Sequence, residues 1–424
     1  MNQALALGYE GAARLARALA AVAPASRHKL VATFAARRGV VSRFAGFRRD
    51  GTRPLLWMHA PSVGEGLQAR PVLELARAKS PSTQLAYTYF SPSARAFAEA
   101  LDVDFRDVLP FDAGADMRAA LAALAPTALV FSKLDVWPTL AREASRRGTR
   151  LGLVSATLAA GSSRRSGLAG ALLRDAYSRL DRVGAISTED ADRLVALGVP
   201  PRRVTVTGDT RYDQVWARAE RVDHASALLT ALRSERPTLV AGSTWPSDEA
   251  ALLPAWARVV ARRPRARLII APHEPTPSHL APIESWAAGA GLRAARIGTR
   301  AATDADVVIV DRVGVLGDLY ATAAVAYVGG AFHAAGLHSV LEPAAFGAPV
   351  LFGPRHHGTR DARLLIDADG ALSVDDADTL RLALERWLDA PTERIAAGAS
   401  ARAVVHQGLG AAARSYALVT ELLG

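Results

Sequence analysis

The chain has 424 residues, which is enough for two or three domains of ordinary size. Half of its residues are apolar and 22% are charged, a balance that is typical of soluble globular proteins and excludes a mostly disordered chain. Cysteine is absent, so disulfides, thiolate nucleophiles and cysteine-ligated zinc are excluded. No apolar run approaches the ~18 residues of a membrane span, and residues 1–25 lack the pattern of a secretory signal, so we expect a cytoplasmic protein.

The first 50 residues carry most of the positive charge. They hold nine Lys and Arg side chains against Glu10 and Asp50, whereas the whole chain has a net charge of +10. Apolar residues lie between the basic ones, which is typical of an amphipathic helix on an anionic membrane surface, although a solvated helix packed on its own domain stays open. Nucleic acid is not an expected partner, because no known binding motif is present. The sequence predicts a basic membrane-associating segment over residues 1–40.

Short apolar runs alternate with amphipathic stretches from residue 54 onward. This alternation predicts parallel strands joined by crossover helices. The strands predicted in the first half are Leu55–His59, Gln84–Tyr89, Ala128–Phe131, Arg150–Val154, Arg182–Ile186 and Val204–Thr207. Predicted helices between them include Gly66–Lys79, Ser93–Ala100 and Trp137–Arg147.

The same pattern restarts after Pro237. The strands predicted in the second half are Thr238–Ala241, Arg267–Ala271, Val307–Val310, Val325–Val328 and Pro349–Phe352. The predicted helices are Asp248–Arg263, Ser278–Ala290, Gly317–Ala323, Ser339–Phe346 and Ala377–Leu388. Two such units in succession predict an α/β protein with two facing Rossmann-like doubly wound domains, over residues 41–225 and 226–424, and a ligand in the cleft between them.

Two loops of the first half contain candidate site residues. Ser62 and Gly64 lie where a helix begins after the first strand, so their backbone N–H groups suit an anion. Glu65 follows them and is a candidate general base, or else a carboxylate that only complements the helix dipole. After a later strand, Lys133 and Asp135 project the same way if the strand continues, and a surface ion pair is the alternative.

Two loops of the second half suggest a phosphate site. Ser243 and Thr244 follow the first strand there, in a position typical of a phosphate cradle or of a helix N-cap. The double glycine after the strand Val325–Val328 allows a close backbone approach. His338 then suits a phosphate contact and Glu342 a ribose diol, although ordinary loop residues remain the alternative. His356 and His357 complete no known metal-ligand spacing, so no metal is expected.

Taken together, these motifs resemble a known family. The segments that carry the resemblance are Ser62-Val63-Gly64-Glu65, Asp135-x-Trp137-Pro138, Gly208–Asp213, Gly242-Ser243-Thr244 and His338-Ser339-x-Leu341-Glu342-Pro343. They are similar, in this order and from about residue 37 to residue 407, to the 3-deoxy-D-manno-octulosonic acid (Kdo) transferases of lipopolysaccharide synthesis.

The resemblance implies a fold, a reaction and a set of site residues. It implies a GT-B glycosyltransferase that moves Kdo from CMP-Kdo to a lipid A precursor at the cytoplasmic face of the inner membrane, with inversion and without a metal or other cofactor. The catalytic residues it implies are Glu65 as base and Asp135. The implied donor contacts are Ser243, Thr244, Gly329, Gly330, His338, Ser339 and Glu342. Ser62, Gly64, Lys133, Arg211 and His273 are further candidates for contacts to the sugar or the acceptor, with Lys133 pairing with the sugar carboxylate.

Some positions depart from the pattern of many family members. Lys133 stands where many have an acidic residue, Asp135 is a shortened glutamate, and His273-Glu274 replaces an Arg-His pair. Two other functions therefore stay open at this point. One is another GT-B sugar-nucleotide enzyme, a UDP-sugar transferase or epimerase. The other is an inactive membrane-associated paralogue.

Overall fold

The computed structural model describes residues 3–22, 24, 28–159, 161–162, 164 and 167–424. Residues 1, 2, 23 and 25–27 of the predicted membrane-associating segment lie outside the described residues. The chain divides into two compact units, Met1–Gln214 with Leu409–Gly424, and Val215–Gly408. Each unit contains one seven-stranded sheet, and every strand pair in both sheets is parallel.

The first sheet follows the prediction and adds one strand. Its strands are β1 (Leu55–His59), β2 (Gln84–Tyr89), β3 (Phe105–Val108), β4 (Ala128–Ser132), β5 (Arg150–Ala156), β6 (Arg182–Ala185) and β7 (Val204–Val206). The helices around it are α1 (Gln3–Val22), α2 (Lys29–Ala35), α3 (Val40–Ala45), α4 (Val63–Lys79), α5 (Arg95–Glu99), α6 (Gly114–Leu124), α7 (Pro138–Arg146), α8 (Gly167–Ser178) and α9 (Thr188–Leu197). Helix α10 (Thr210–Arg221) begins in the first unit and continues into the second. Strands β1, β2 and β4 are buried at every residue, as expected for a parallel sheet covered on both faces.

The second sheet repeats the design. Its strands are β8 (Thr238–Thr244), β9 (Arg267–Pro272), β10 (Ala294–Arg296), β11 (Val307–Ile309), β12 (Val325–Val328), β13 (Val350–Phe352) and β14 (Ala371–Ser373). Its helices are α11 (Ala227–Leu232), α12 (Pro246–Arg262), α13 (Pro277–Gly289), α14 (Leu316–Leu319), α15 (Leu341–Ala345), α16 (Arg360–Asp367), α17 (Ala377–Asp389) and α18 (Pro391–Gln407). The α/β doubly wound prediction is thereby confirmed in both halves of the chain.

The strand orders place one topological switch point in each sheet. The first sheet runs β3-β2-β1-β4-β5-β6-β7, so the direction of winding reverses between β1 and β4. The second runs β10-β11-β9-β8-β12-β13-β14 and reverses between β8 and β12. Ligands of open α/β sheets bind beyond the carboxyl ends of the strands at such points. The loops after these four strands are therefore where a site is expected.

The C-terminal helix corrects the predicted domain limits. Residues 226–424 were expected to form the second domain, but α19 (Ala411–Leu423) packs in the first unit. Its apolar face, which includes Leu418, Val419 and Leu422, belongs to the core beneath the first sheet. Gly152 of β5 makes room for it, because a Cβ atom there would lie 2.6 Å from Cδ1 of Leu422.

Helix α1 lies on the first unit and turns an apolar row outward. The hydroxyl of Tyr9 donates to Asp112 (2.9 Å), and Glu10 accepts from the backbone N–H of Gly114 (3.1 Å). The outward row consists of Leu7, Leu15, Leu19 and Val22, which are between 48% and 77% exposed. No helix in the part of the chain that the structure describes is both long and apolar enough to cross a membrane.

Candidate active site

Glu65 lies at the switch point of the first sheet, in the first turn of α4 directly after β1. Ser62 occupies the N-cap position, and its hydroxyl donates to the Glu65 carboxylate. Gly64 lies between them in the same turn. The carboxylate is 18% exposed, which leaves it within reach of a substrate at the carboxyl edge of the sheet. The predicted residues Ser62, Gly64 and Glu65 are thus brought together.

Lys133 faces the same carboxylate from the other side of the switch point. Its Nζ lies 3.1 Å from Oε1 of Glu65, and the hydroxyl of Ser132 donates to the Glu65 carbonyl (3.0 Å). Burial raises the pKa of Glu65, but the hydrogen bond from Ser62 and the charge of Lys133 outweigh it, so this pKa lies below its ordinary value. The side chain is therefore ionised at neutral pH and ready to accept a proton.

The backbone at Lys133 explains why Asp135 points elsewhere. Lys133 has a φ of +69°, an uncommon conformation for a residue with a side chain, so β4 ends at Ser132 and its alternation stops. The prediction that Lys133 and Asp135 project the same way from a continuing strand is therefore wrong. The carboxylate of Asp135 binds Arg164 (2.7 Å), and Arg164 also donates to the Leu134 carbonyl (3.0 Å).

A buried histidine supports the loop that follows Lys133. His59, the last residue of β1, is fully buried, and its Nε2 accepts a hydrogen bond from the indole of Trp137 (3.0 Å). Because Nε2 accepts this hydrogen bond, the neutral ring carries its proton on Nδ1, which lies 2.9 Å from Oγ1 of Thr88. Burial, with a smaller contribution from Arg37, lowers the pKa of His59 to about 3, so the ring stays neutral. Sequence reasoning missed this residue, because an apolar strand gives no signal for its one polar member.

Arg211 lies at the same edge of the sheet but already has an internal partner. Its guanidinium binds Asp209 (2.7 Å) after β7. The neighbouring Thr210 donates to the Gln68 carbonyl of α4 (2.7 Å), one turn beyond Glu65. The Gly208–Asp213 segment is therefore attached to the helix that carries the candidate base.

The double glycine, Gly329-Gly330, lies at the switch point of the second sheet. Gly329 follows β12, and its N–H donates to the Gly242 carbonyl of β8 (2.9 Å). A Cβ atom on Gly329 would lie 2.3 Å from the Ser243 carbonyl oxygen, and Gly330 has a φ of +98°. Ser243 itself has a φ of +54° at a register shift in β8. The structure has the predicted close backbone approach, and the two segments that approach each other are the turn at Gly329 and the end of β8 at Ser243.

Asp248 holds this turn in place. The side chain is fully buried in α12 and accepts hydrogen bonds from the backbone N–H groups of Trp245 (2.9 Å), Gly330 (2.8 Å) and Phe332 (3.2 Å). Tyr327 of β12 adds a hydroxyl donor at 3.1 Å. The sequence analysis does not identify Asp248 as a site residue. A helix N-terminus with an acidic residue three positions after the N-cap residue was the available signal.

Aromatic rings are stacked beside the double glycine. Trp245 lies parallel to His333, with centroids 4.1 Å apart, and stacks on His273 at 4.7 Å. His273 stacks in turn on His338 (4.5 Å), whose Nε2 accepts from the Trp245 indole (3.0 Å). Burial, and then the neighbouring His273, lower the pKa of His338. The predicted residues His273 and His338 thus meet, together with Trp245 and His333, which sequence reasoning had not assigned.

The remaining candidates for donor contacts differ in burial and in their hydrogen-bond partners. Thr244 is fully buried, and its hydroxyl donates to Glu249 (2.7 Å), so only its backbone faces the turn. Ser339 is exposed and precedes α15, which begins at Leu341 rather than near Ser339 as predicted. Glu342 lies partly buried in that short helix, and burial raises its pKa although Arg218 lowers it. Within the described residues, no group of three or more His, Asp or Glu side chains is arranged to hold a metal ion.

Two parallel doubly wound sheets, each with chemistry-bearing loops at its switch point, define the chain as a protein of the GT-B class. Solved structures share this fold. A UDP-GlcNAc 2-epimerase from Neisseria meningitidis bound to UDP-GlcNAc matches 87% of this chain and 99% of its own, with a TM-score of 0.64 and 12% identity. A glycosyltransferase from Rickettsia africae matches 88% of this chain and 99% of its own, with a TM-score of 0.58 and 10% identity.

Sequence comparison defines the family within that class. Residues 32–214 match the family model described as 3-deoxy-D-manno-octulosonic-acid transferase. The chain is 32% identical over 397 residues to the 3-deoxy-D-manno-octulosonic acid transferase of Bordetella pertussis, covering 90% of this chain and 91% of that one. The enzyme of the same name from Haemophilus influenzae is 26% identical over 374 residues, covering 87% of each chain. The chain therefore belongs to the Kdo transferase family, as the motifs predicted.

Proposed function

We propose that this chain is an inverting glycosyltransferase that moves Kdo from CMP-Kdo to a lipid A precursor in lipopolysaccharide synthesis, without a metal. Its membership of the Kdo transferase family supports the reaction class. The observation that carries the assignment is the Glu65 carboxylate, which is kept ionised by Ser62 and Lys133 at the switch point of the first sheet.

The first unit supplies the base. The acceptor hydroxyl must lose its proton as its oxygen attacks the anomeric carbon of Kdo, and Glu65 takes that proton. The new C–O bond forms as the bond to the phosphate breaks, so a single displacement inverts the anomeric centre. We assign Lys133, whose Nζ lies 3.1 Å from Oε1 of Glu65, to the carboxylate of the donor sugar as well. Asp135 acts as a positioning residue, because its bond to Arg164 holds the loop that carries Lys133.

The second unit supplies the donor site. CMP leaves as a phosphate monoester that needs no protonation if its charge is met by amides and polar side chains. We assign this role to Ser243, the Gly329-Gly330 turn, His338 and Ser339. Thr244 contributes through its backbone only, since its hydroxyl is bound to Glu249. Glu342, one turn further on, accepts hydrogen bonds from the ribose.

The N-terminal segment brings the enzyme to its acceptor. The outward row of leucines on α1 offers apolar contact area, and the basic residues of the first 50 positions offer attraction to anionic lipids. We therefore propose a peripheral enzyme at the cytoplasmic face of the inner membrane. A lipid acceptor requires such an arrangement, because the acceptor itself does not leave the bilayer.

The direct test is release of CMP from CMP-Kdo in the presence of a tetraacylated lipid A precursor. Wild-type protein should release CMP, and Glu65→Gln should lower kcat by about 100-fold or more, since it cannot accept a proton. Glu74→Gln is the matched control, because Glu74 lies on the same helix and is exposed beside Arg70. No CMP release by the wild type, or equal kcat for Glu65→Gln and Glu74→Gln, would contradict the assignment.

A further inference from the structure

A basic cavity lies beneath the second half of α1, within the first unit. It has a volume of about 260 Å³. Its polar and aromatic walls are formed by Arg17, Arg37, Arg38, Ser42, Phe111 and Asp116. Three arginines and one aspartate therefore line the cavity. The charge of this cavity favours an anion, and nothing in the proposed reaction uses it.

Arg37 is the unusual member of this wall. It is only 4% exposed, yet it forms no ion pair with any carboxylate in the described part of the chain. Two of its N–H groups donate to the carbonyls of Thr33 (2.7 Å) and Phe90 (2.9 Å), and its Nε has no hydrogen-bond partner. A buried charge without a counter-charge is costly, so an anion in the cavity would compensate it.

Aromatic rings partly stabilise the Arg37 charge and fix its position. The guanidinium carbon lies 3.9 Å from the centroid of Phe90 and 4.7 Å from that of Phe111. Burial lowers the pKa of Arg37 to about 9, which leaves it charged at neutral pH. Arg17, an exposed cation of the wall, is 3.4 Å from Asp116. Asp116, the carboxylate of the cavity, therefore already has Arg17 as its counter-charge, whereas Arg37 has no carboxylate partner among the described residues.

Apolar surface borders the cavity. Ala20 and Ala21 of α1 line it, whereas Leu19 and Val22 on either side of them are 48% and 77% exposed. Leu30 of α2 is 66% exposed. An anion that carries hydrocarbon chains would thus satisfy both surfaces, because its charged group enters the cavity while its chains cover these side chains.

A series of contacts connects the cavity wall to the segment that precedes the candidate base. Phe90, which stacks on Arg37, donates its backbone N–H to the Pro61 carbonyl (3.0 Å), and Pro61 precedes Ser62. We propose that this cavity binds the phosphate group of an anionic lipid and so holds that lipid on the first unit, which carries Glu65. The proposal rests on the membrane location proposed above and not on the identity of the sugar donor.

The test is calorimetric binding of dihexanoyl phosphatidic acid, a short-chain soluble lipid, to the purified full chain without sugar nucleotide. Wild-type protein should show saturable binding. Arg37→Gln should weaken it about tenfold or more, because a charge-assisted contact is lost. Ala20→Phe should weaken it similarly by filling the cavity while keeping every charge. Arg17→Gln provides a variant with an exposed site in case Arg37→Gln fails to fold.

The matched control is Arg14→Gln, which removes one arginine charge from α1, the helix that carries Arg17 and Ala20, at a residue that lies outside the cavity and is paired with Glu10. It should change the affinity less than twofold in the same titration, as expected for a screened surface charge. Equal weakening by Arg14→Gln, unchanged affinity of Ala20→Phe, absence of saturable binding, or equally tight binding of inorganic phosphate would each overturn the proposal. CMP release does not enter this test, so its outcome is independent of the proposed sugar transfer.

Discussion

The ammonium group of Lys133 lies 3.1 Å from the carboxylate of Glu65, and the two residues follow the two strands that flank the switch point of the first sheet. Lys133 thereby helps to hold the pKa of Glu65 below its ordinary value.

Replacing Lys133 should change the pH dependence of the reaction. In Lys133→Met, the pKa of Glu65 rises because the neighbouring positive charge is gone, so a larger fraction of the base is protonated at acidic pH. The acid limb of the kcat/KM profile should move to higher pH, and Lys133→Arg should restore it. An acid limb that stays where it is in Lys133→Met would show that Lys133 does not tune this carboxyl.

His59 should make the fold sensitive to acid. Its pKa is about 3 in the folded protein and about 6.5 in an unfolded chain, so the unfolded state binds the additional proton between these values. The contribution of His59 to the unfolding free energy is therefore fully present above pH 6.5, and below that pH the unfolding free energy falls by up to about 1.4 kcal/mol per pH unit. The unfolding free energy, measured by urea unfolding at several pH values, should fall less steeply with decreasing pH in His59→Gln than in the control His224→Gln, whose substituted residue is exposed. Identical slopes would contradict the assignment.

Gly329→Ala should damage the second unit. The added Cβ atom would lie 2.3 Å from the Ser243 carbonyl oxygen, and both backbones are fixed by the sheet, so the turn must shift. We expect a loss of about 2 kcal/mol in unfolding free energy and weaker binding of CMP. Gly358→Ala is the control, because a Cβ atom there meets nothing within 4 Å. Wild-type stability and CMP affinity in Gly329→Ala would show that the close approach is unnecessary.

The nucleotide preference should distinguish the proposed function from that of a UDP-sugar enzyme with the same fold. Equal concentrations of CMP, UDP and GDP should raise the unfolding temperature to different extents, since a ligand stabilises a protein according to its saturation. CMP should give the largest increase, measured by differential scanning fluorimetry. A larger increase with UDP would instead favour a UDP-sugar transferase or epimerase.

Membrane binding should depend on the outward row of α1. Leu15→Gln combined with Leu19→Gln should lower partitioning onto anionic vesicles by about tenfold or more, since each buried leucine contributes about 2 kcal/mol. The contacts of Tyr9 and Glu10 remain intact in this variant. Leu382→Gln with Ile395→Gln, at exposed positions of the second unit, should have no effect in the same sedimentation assay. Vesicle binding that is equal for both double variants would contradict the proposed docking face.

The sequence predicted the buried strands well and the edge strands poorly. Strands such as β1 and β4 are continuous apolar runs, which is the pattern of a parallel sheet with both faces covered. Strands β3, β10 and β14 were missed because each is short and partly exposed, so no apolar run marks it. Local composition carries little information about strands of this kind.

Within the candidate site, sequence reasoning found the residues that follow strands and missed those that support them. The sequence predicted Glu65 and Ser243 as site residues because each parallel sheet brings the carboxyl ends of its own strands to one edge. The sequence could not predict the partner of Asp135. The direction of that side chain follows from the positive φ of Lys133, which depends on tertiary packing rather than on the residue type. Asp248 and Trp245 were missed for a related reason, since their contacts join segments that lie more than 80 residues apart.

The return of α19 to the first unit determines the order in which the chain can complete itself during synthesis. The second unit is one continuous segment, Val215–Gly408, and is fully translated before α19. The core beneath the first sheet lacks Leu418, Val419 and Leu422 until α19 has been translated. The first unit is therefore completed only after the second has been translated, and a chain truncated after Gly408 would lack these three side chains of its core.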